Sequence, residues 1–117
     1  MLSVDVMLTR DSDALLCLIY KNYLKQLKDN VSKTDAKWFD GYLEIQKSIA
    51  PKWTPDRVDE TLRELSRANM LQTQSYDNHI GTVILSDLGI IYMENRFKNG
   101  LDEVLKYLTT IAAILPV

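Results

Sequence analysis

Trp53-Thr54-Pro55-Asp56-Arg57-Val58 is the stretch on which the fold turns. Threonine at the N-cap, proline at the first helical position and an acid in the first turn make this the strongest helix start in the chain. Val58, Leu62, Leu65 and Ala68 then recur at helical spacing and define a buried face. Asn69 is a natural stop, because asparagine tolerates the left-handed conformation. Beyond it, Leu71-Gln72-Thr73-Gln74-Ser75-Tyr76 and Thr82-Val83-Ile84-Leu85 flank the turn-rich Asp77-Asn78-His79-Ile80-Gly81, which predicts a β-hairpin. The expectation is therefore a helix backed by a two-stranded ribbon.

Working outward, residues 12–29 predict a first helix that Asp11, Ser12 or Asp13 can cap. Leu16, Ile19, Tyr20, Tyr23, Leu24 and Leu27 share one face, and Lys21, Lys25 and Lys28 line the opposite side. Leu15 and Leu18 lie off that stripe, so the N-terminal arm (residues 1–11), the last helix or a partner chain should cover them. A short polar link follows. A second helix is then expected from Ser32 or Thr34, with Trp38, Tyr42, Ile45 and Ile49 repeating at spacings of 4, 3 and 4. Gly41 weakens it by about 1 kcal/mol relative to alanine, and Pro51 ends it.

After the hairpin, Ser86 caps a predicted long helix running toward Leu115. Ile90, Phe97, Val104 and Ile111 stand seven apart, with Leu101, Leu108 and Leu115 in the alternate positions. The seam keeps register across Asn99-Gly100, which favours one continuous or gently kinked helix and a two-fold dimer contact through Phe97, Leu101, Val104, Leu108, Ile111 and Leu115. The same stripe also suits completion of the monomer's core. A membrane-surface role for its end lacks the basic residues that anionic lipid selects.

The chain has 117 residues, is 46% hydrophobic and 26% charged, and carries a formal charge of −2. That is one domain by size, and neither a disordered tail nor a fibre. Cys17 is the only cysteine, so no intrachain disulfide forms. Set among Ala14, Leu15, Leu16, Leu18 and Ile19, it reads as a small buried hydrophobe. The first residues lack a basic n-region and an apolar h-region, and the longest uncharged run falls short of the roughly 20 residues a bilayer needs. A cytoplasmic protein is expected. No nucleophile–base order, phosphate loop or metal-ligand spacing appears, so neither an enzyme nor a cofactor nor a metal is expected; His79 reads as a loop residue.

Element order and two junctions carry a family resemblance. Leu62-Arg63-Glu64-Leu65-Ser66-Arg67-Ala68-Asn69-Met70-Leu71 is similar to the end of a winged-helix recognition helix. Ile84-Leu85-Ser86-Asp87-Leu88-Gly89-Ile90 is similar to the start of the helix after a wing. Over residues 12–98 the chain resembles bacterial winged-helix regulators of the PadR-like and MarR-like kind, though Asn69 stands where many have glycine. Residues 99–117 would be a C-terminal helical extension. The resemblance implies a mainly α fold with a small β-hairpin, a winged helix-turn-helix with a long C-terminal helix. It also implies a homodimeric transcription regulator that binds double-stranded DNA.

Under that implication residues 54–68 enter the major groove, with Arg57, Arg63 and Arg67 as base or phosphate contacts. Thr54 meets a phosphate, Tyr76 and His79 sit on the wing, and Lys33, Lys37 and Lys52 add backbone affinity. The charges also support another reading. Residues 54–82 sum to −2 and the wing has no lysine or arginine, whereas residues 20–53 sum to +3. The arginines also have carboxylate neighbours, Asp59 and Arg63 at i, i+4 among them. The alternative is thus a winged-helix module for protein interaction, an accessory, adaptor or inhibitor protein that does not bind DNA.

Overall fold

Thr54 caps its helix as the sequence requires: the hydroxyl accepts the Arg57 amide at 3.2 Å, and Pro55 occupies the first turn. A computed structural model describes residues 7–112. In chain order it comprises α1 (Arg10–Lys28), α2 (Lys33–Ala36), β1 (Trp38–Asp40), α3 (Tyr42–Ser48), α4 (Pro55–Arg67), β2 (Leu71–Tyr76), β3 (His79–Leu85), α5 (Asp87–Arg96) and α6 (Leu101–Ile111). The fold is mainly helical with a small antiparallel sheet of order β1-β3-β2.

α1 is the hub. It packs against α2, α4, α5 and α6, and the run from Ala14 to Tyr20 is buried on every side. Leu15 and Leu18, which stood off the main stripe, are therefore covered from within the chain, with Leu18 beside Leu105 and Leu108 of α6. The helix starts earlier than residues 11–13 suggested, because Thr9 is its cap and accepts the Ser12 amide at 3.1 Å.

Residues 32–49 do not form one helix. α2 ends at Ala36, Trp38 to Asp40 pair with β3, and only then does α3 begin. The cause is long-range: Phe39 opposite Val83 buries an aromatic on the inner sheet face, which an isolated helix turn cannot match. Gly41, expected inside a helix, is instead the N-cap of α3 at a crossing point, where an added Cβ would lie 2.7 Å from the Ile80 carbonyl oxygen.

The hairpin loop is tighter than five residues. Asp77 and Asn78 alone make the turn, with φ of 50° and 67°, the left-handed pair that matches strand twist. β3 thus includes His79, Ile80 and Gly81. Register steps from Gln74 opposite Thr82 to Ser75 opposite Ile80, leaving Gly81 as the extra residue of a bulge. The bulge re-phases the side chains so that Ile80, Val83 and Leu85 all point inward.

The last segment is two helices. α5 stops at Arg96, Gly100 adopts φ +74°, and α6 turns back onto α1. Gly100 can hold that conformation because it has no Cβ. The seam residues Phe97, Val104 and Leu108 lie in the chain's own core and Leu101 and Ile111 are half-buried, while Leu115 lies outside the described residues. Among the described residues no helix is long and apolar enough to cross a membrane.

Candidate interaction surface

The outer side of α4 and the hairpin beside it form the surface singled out by the sequence. Asp59 joins them. Its carboxylate, only 9% exposed, accepts the Ile80 amide at 2.8 Å and the Arg63 Nε at 3.2 Å, and lies 3.4 Å from His79 Nδ1. Burial alone would raise this carboxyl, but the Ile80 amide and the Arg63 and His79 side chains override it and hold it below the ordinary aspartate value. Arg63 also donates to the Asn78 carbonyl at the turn. The hairpin is thereby tied to α4 at its tip and along its strand.

Arg57 is engaged as well. Nε and Nη2 each reach the Asp11 carboxylate at 2.8 Å, and the guanidinium lies 4.5 Å above the Trp53 ring. The hydrogen bond from Arg57, opposed by burial, keeps Asp11 below its usual range, and the same contact raises Arg57. The fork geometry suits a carboxylate, so a lysine here would not substitute. Of the expected DNA contacts on α4, only Arg67 is exposed and without an ion pair among the described residues. Asp56 and Glu60 share its outward stripe and are exposed.

The remaining candidates scatter. Thr54 and Lys52 are exposed at the start of α4. Lys33 and Lys37 flank a hollow bounded by Asp87 and Glu94 of α5, and Lys37 pairs with Asp87 at 3.4 Å. With Asp87 85% exposed, that pair contributes little. Tyr76 is 59% exposed at the hairpin end, and His79 stacks on Tyr42 with ring centroids 4.6 Å apart. Among the described residues no group of three or more His, Cys, Asp or Glu is arranged to hold a metal ion.

Sequence reasoning missed the contribution of α3. Gly41, Tyr42, Leu43 and Glu44 join Tyr76, Asp77, His79, Ile80 and Gly81 around a groove of about 430 Å³. The available signal was Gly41 itself, a helix breaker set after three strand-prone or exposed residues, Trp38, Phe39 and Asp40. Compared with known proteins, the chain matches no family model, no curated protein and no solved structure.

Proposed function

We propose that this chain is a winged-helix protein whose recognition helix and wing bind another protein. Element order supports the winged-helix part: α1, the single-turn α2, β1, α3, α4 and then a hairpin whose second strand lies between its partner and β1. In that reading α3 and α4 form the helix-turn-helix and β2–β3 the wing. The observation that carries protein recognition is the engagement of Arg57 and Arg63 by Asp11, Asp59 and the Asn78 carbonyl. A duplex would have to compete with those charge-assisted bonds, the bidentate Arg57–Asp11 fork among them. Its phosphates would meanwhile face Asp56, Glu60 and Asp77, with no lysine or arginine on the hairpin in return.

The test is fluorescence anisotropy with a mixed-sequence duplex at low salt. The expected result is no saturable binding up to roughly tens of micromolar, where non-specific winged-helix contact registers. An Asp56→Lys/Glu60→Lys double variant should gain binding. Saturable binding by the unaltered chain would overturn the reading.

A DNA-binding transcription regulator is the second reading, favoured by the exposed Arg67 and by Lys52 and Thr54, both exposed at the start of α4. Its signature is an affinity that falls steeply with salt and drops in Arg67→Ala. A homodimer through the C-terminal seam draws less support, because Phe97, Val104 and Leu108 already fill the chain's own core.

A further inference from the structure

We propose that the groove between α3 and the hairpin tip is the docking site for a partner protein's segment, one that inserts a large apolar or aromatic side chain flanked by lysine or arginine. This rests on the protein-recognition reading and says where and what it recognises.

The groove has two aromatic walls. One is Tyr42, stacked on His79 at an interplanar angle of 18°. The other is Tyr76, whose ring edge closes on Gly81; a Cβ there would sit 1.9 Å from the Tyr76 Cδ2. Gly81 is the bulge residue, so the irregularity in β3 is what opens the space into which Tyr76 folds. Leu43 adds an apolar rim at 47% exposure. At about 430 Å³ the groove lies toward the lower end of ligand cavities, roughly 300–1,000 Å³, and has room for one large side chain.

One wall is set before anything binds: His79 is held between Tyr42 and Asp59, which leaves it little side-chain freedom to lose on docking. The exposed Tyr76 wall is anchored only through its hydroxyl, which donates to Gln74 at 3.1 Å. Charge then selects the occupant. Glu44 and Asp77 line the groove, no lysine or arginine does, and the exposed Asp40 directly precedes Gly41. Such a rim repels phosphates and carboxylates and attracts basic side chains, while the apolar floor favours a hydrophobic anchor between them.

The test uses the full chain, labelled with ¹⁵N and titrated with three synthetic pentapeptides: Lys-Lys-Trp-Lys-Lys, Glu-Glu-Trp-Glu-Glu and Lys-Lys-Ala-Lys-Lys. The first should shift the amides of Gly41, Tyr76, Asp77 and Gly81 saturably, and the other two should not. Glu44→Lys, an exposed change on the first turn of α3, should weaken that binding about five-fold. Tyr76→Ala should abolish it. Equal shifts from the acidic peptide or from the alanine peptide would overturn the proposal, as would no shift with any of them. Shifts confined to Asp56 and Glu60 would overturn the groove while leaving protein recognition standing; duplex binding in the anisotropy experiment is what removes the latter.

Discussion

The Asp59 carboxylate and the Ile80 backbone amide meet at 2.8 Å although 21 positions separate them in sequence. Together with the Arg63 bond to the Asn78 carbonyl and the Thr73–Ser66 hydroxyl pair, this bond holds the hairpin against α4. It is buried, and the same carboxylate receives Arg63 and faces His79. Asp59→Ala leaves the Ile80 amide without an acceptor and Arg63 without its partner, and should cost about 2–4 kcal/mol, read as a lower urea midpoint.

The same bond makes stability depend on pH in one direction. Folding lowers the Asp59 carboxyl below its unfolded value of about 3.9. The resulting stabilisation is complete above the unfolded value and is lost as pH falls through the lower folded value. Asp11, lowered by Arg57, adds with the same sign. Urea midpoints measured downward from about pH 5 should therefore fall, and in Asp59→Asn the slope should be shallower. An unchanged slope in that variant would remove Asp59 from the account.

Gly89 and Gly81 should respond to alanine to different degrees. At Gly89 a Cβ would lie 2.4 Å from the Met70 carbonyl oxygen, and that carbonyl already accepts the Ser86 amide at 3.1 Å. Backbone cannot step aside there, so Gly89→Ala should cost about 2 kcal/mol despite alanine's better helix propensity. At Gly81 the obstacle is the exposed Tyr76 ring, which can swing outward. Gly81→Ala should stay within about 1 kcal/mol of the parent, while quenching the groove by displacing one wall. Thermal melts of the two variants separate these outcomes.

The difference between what could be read from the chain and what could not is one of range. Thr54-Pro55, Asn69 and Ser86 act on amides within a turn of themselves, and Asn69 does adopt φ 63°. Such signals are complete in the local sequence. Trp38 to Asp40 are strand only because Val83 and Ile84 lie opposite, more than forty residues away; locally their spacing with Tyr42 and Ile45 is that of a helix. The seam from Ile90 to Ile111 misled differently. Ile90 of α5, Phe97, and Val104 and Leu108 of α6 all face the same core, so the seven-residue arithmetic survives a break at Gly100. The arginines on α4 were legible as charges, but the partner of Arg57 is Asp11, 46 positions back.

That break changes what an acid on α6 should do. Leu108 is 7% exposed in the core and Leu105 is 39% exposed one turn away. Leu108→Asp buries a carboxylate and removes an apolar side chain, a loss of about 4 kcal/mol or more against a typical total of roughly 5–15. It should lose far-UV helical signal or melt at much lower temperature, whereas Leu105→Asp should fold normally. If Leu108→Asp instead stays folded and only changes sedimentation from dimer to monomer, the residue belongs to an interface.

Cys17 offers a probe of how the core opens. It is fully buried, and burial, with Asp13 adding, pushes its thiol up to about 12. At pH 8 the folded chain therefore presents almost no thiolate and no path to it, so a disulfide reagent should label the protein only through opened states. Beside it, Arg96 and Tyr107 both donate to Asp13, joining α5 and α6 to α1, and the Arg96 guanidinium stacks 4.4 Å from the Tyr107 ring. Removing Asp13 leaves that half-buried guanidinium without its counter-ion, which destabilises the closed arrangement; the thiol also loses Asp13's upward push, but it stays buried, so labelling still requires opening. Labelling of Asp13→Ala should accelerate in proportion to its lost stability, while the rate in denaturant stays that of the parent. A fast native rate in the unaltered chain would mean that α6 leaves α1 far more readily than its buried Val104 and Leu108 imply.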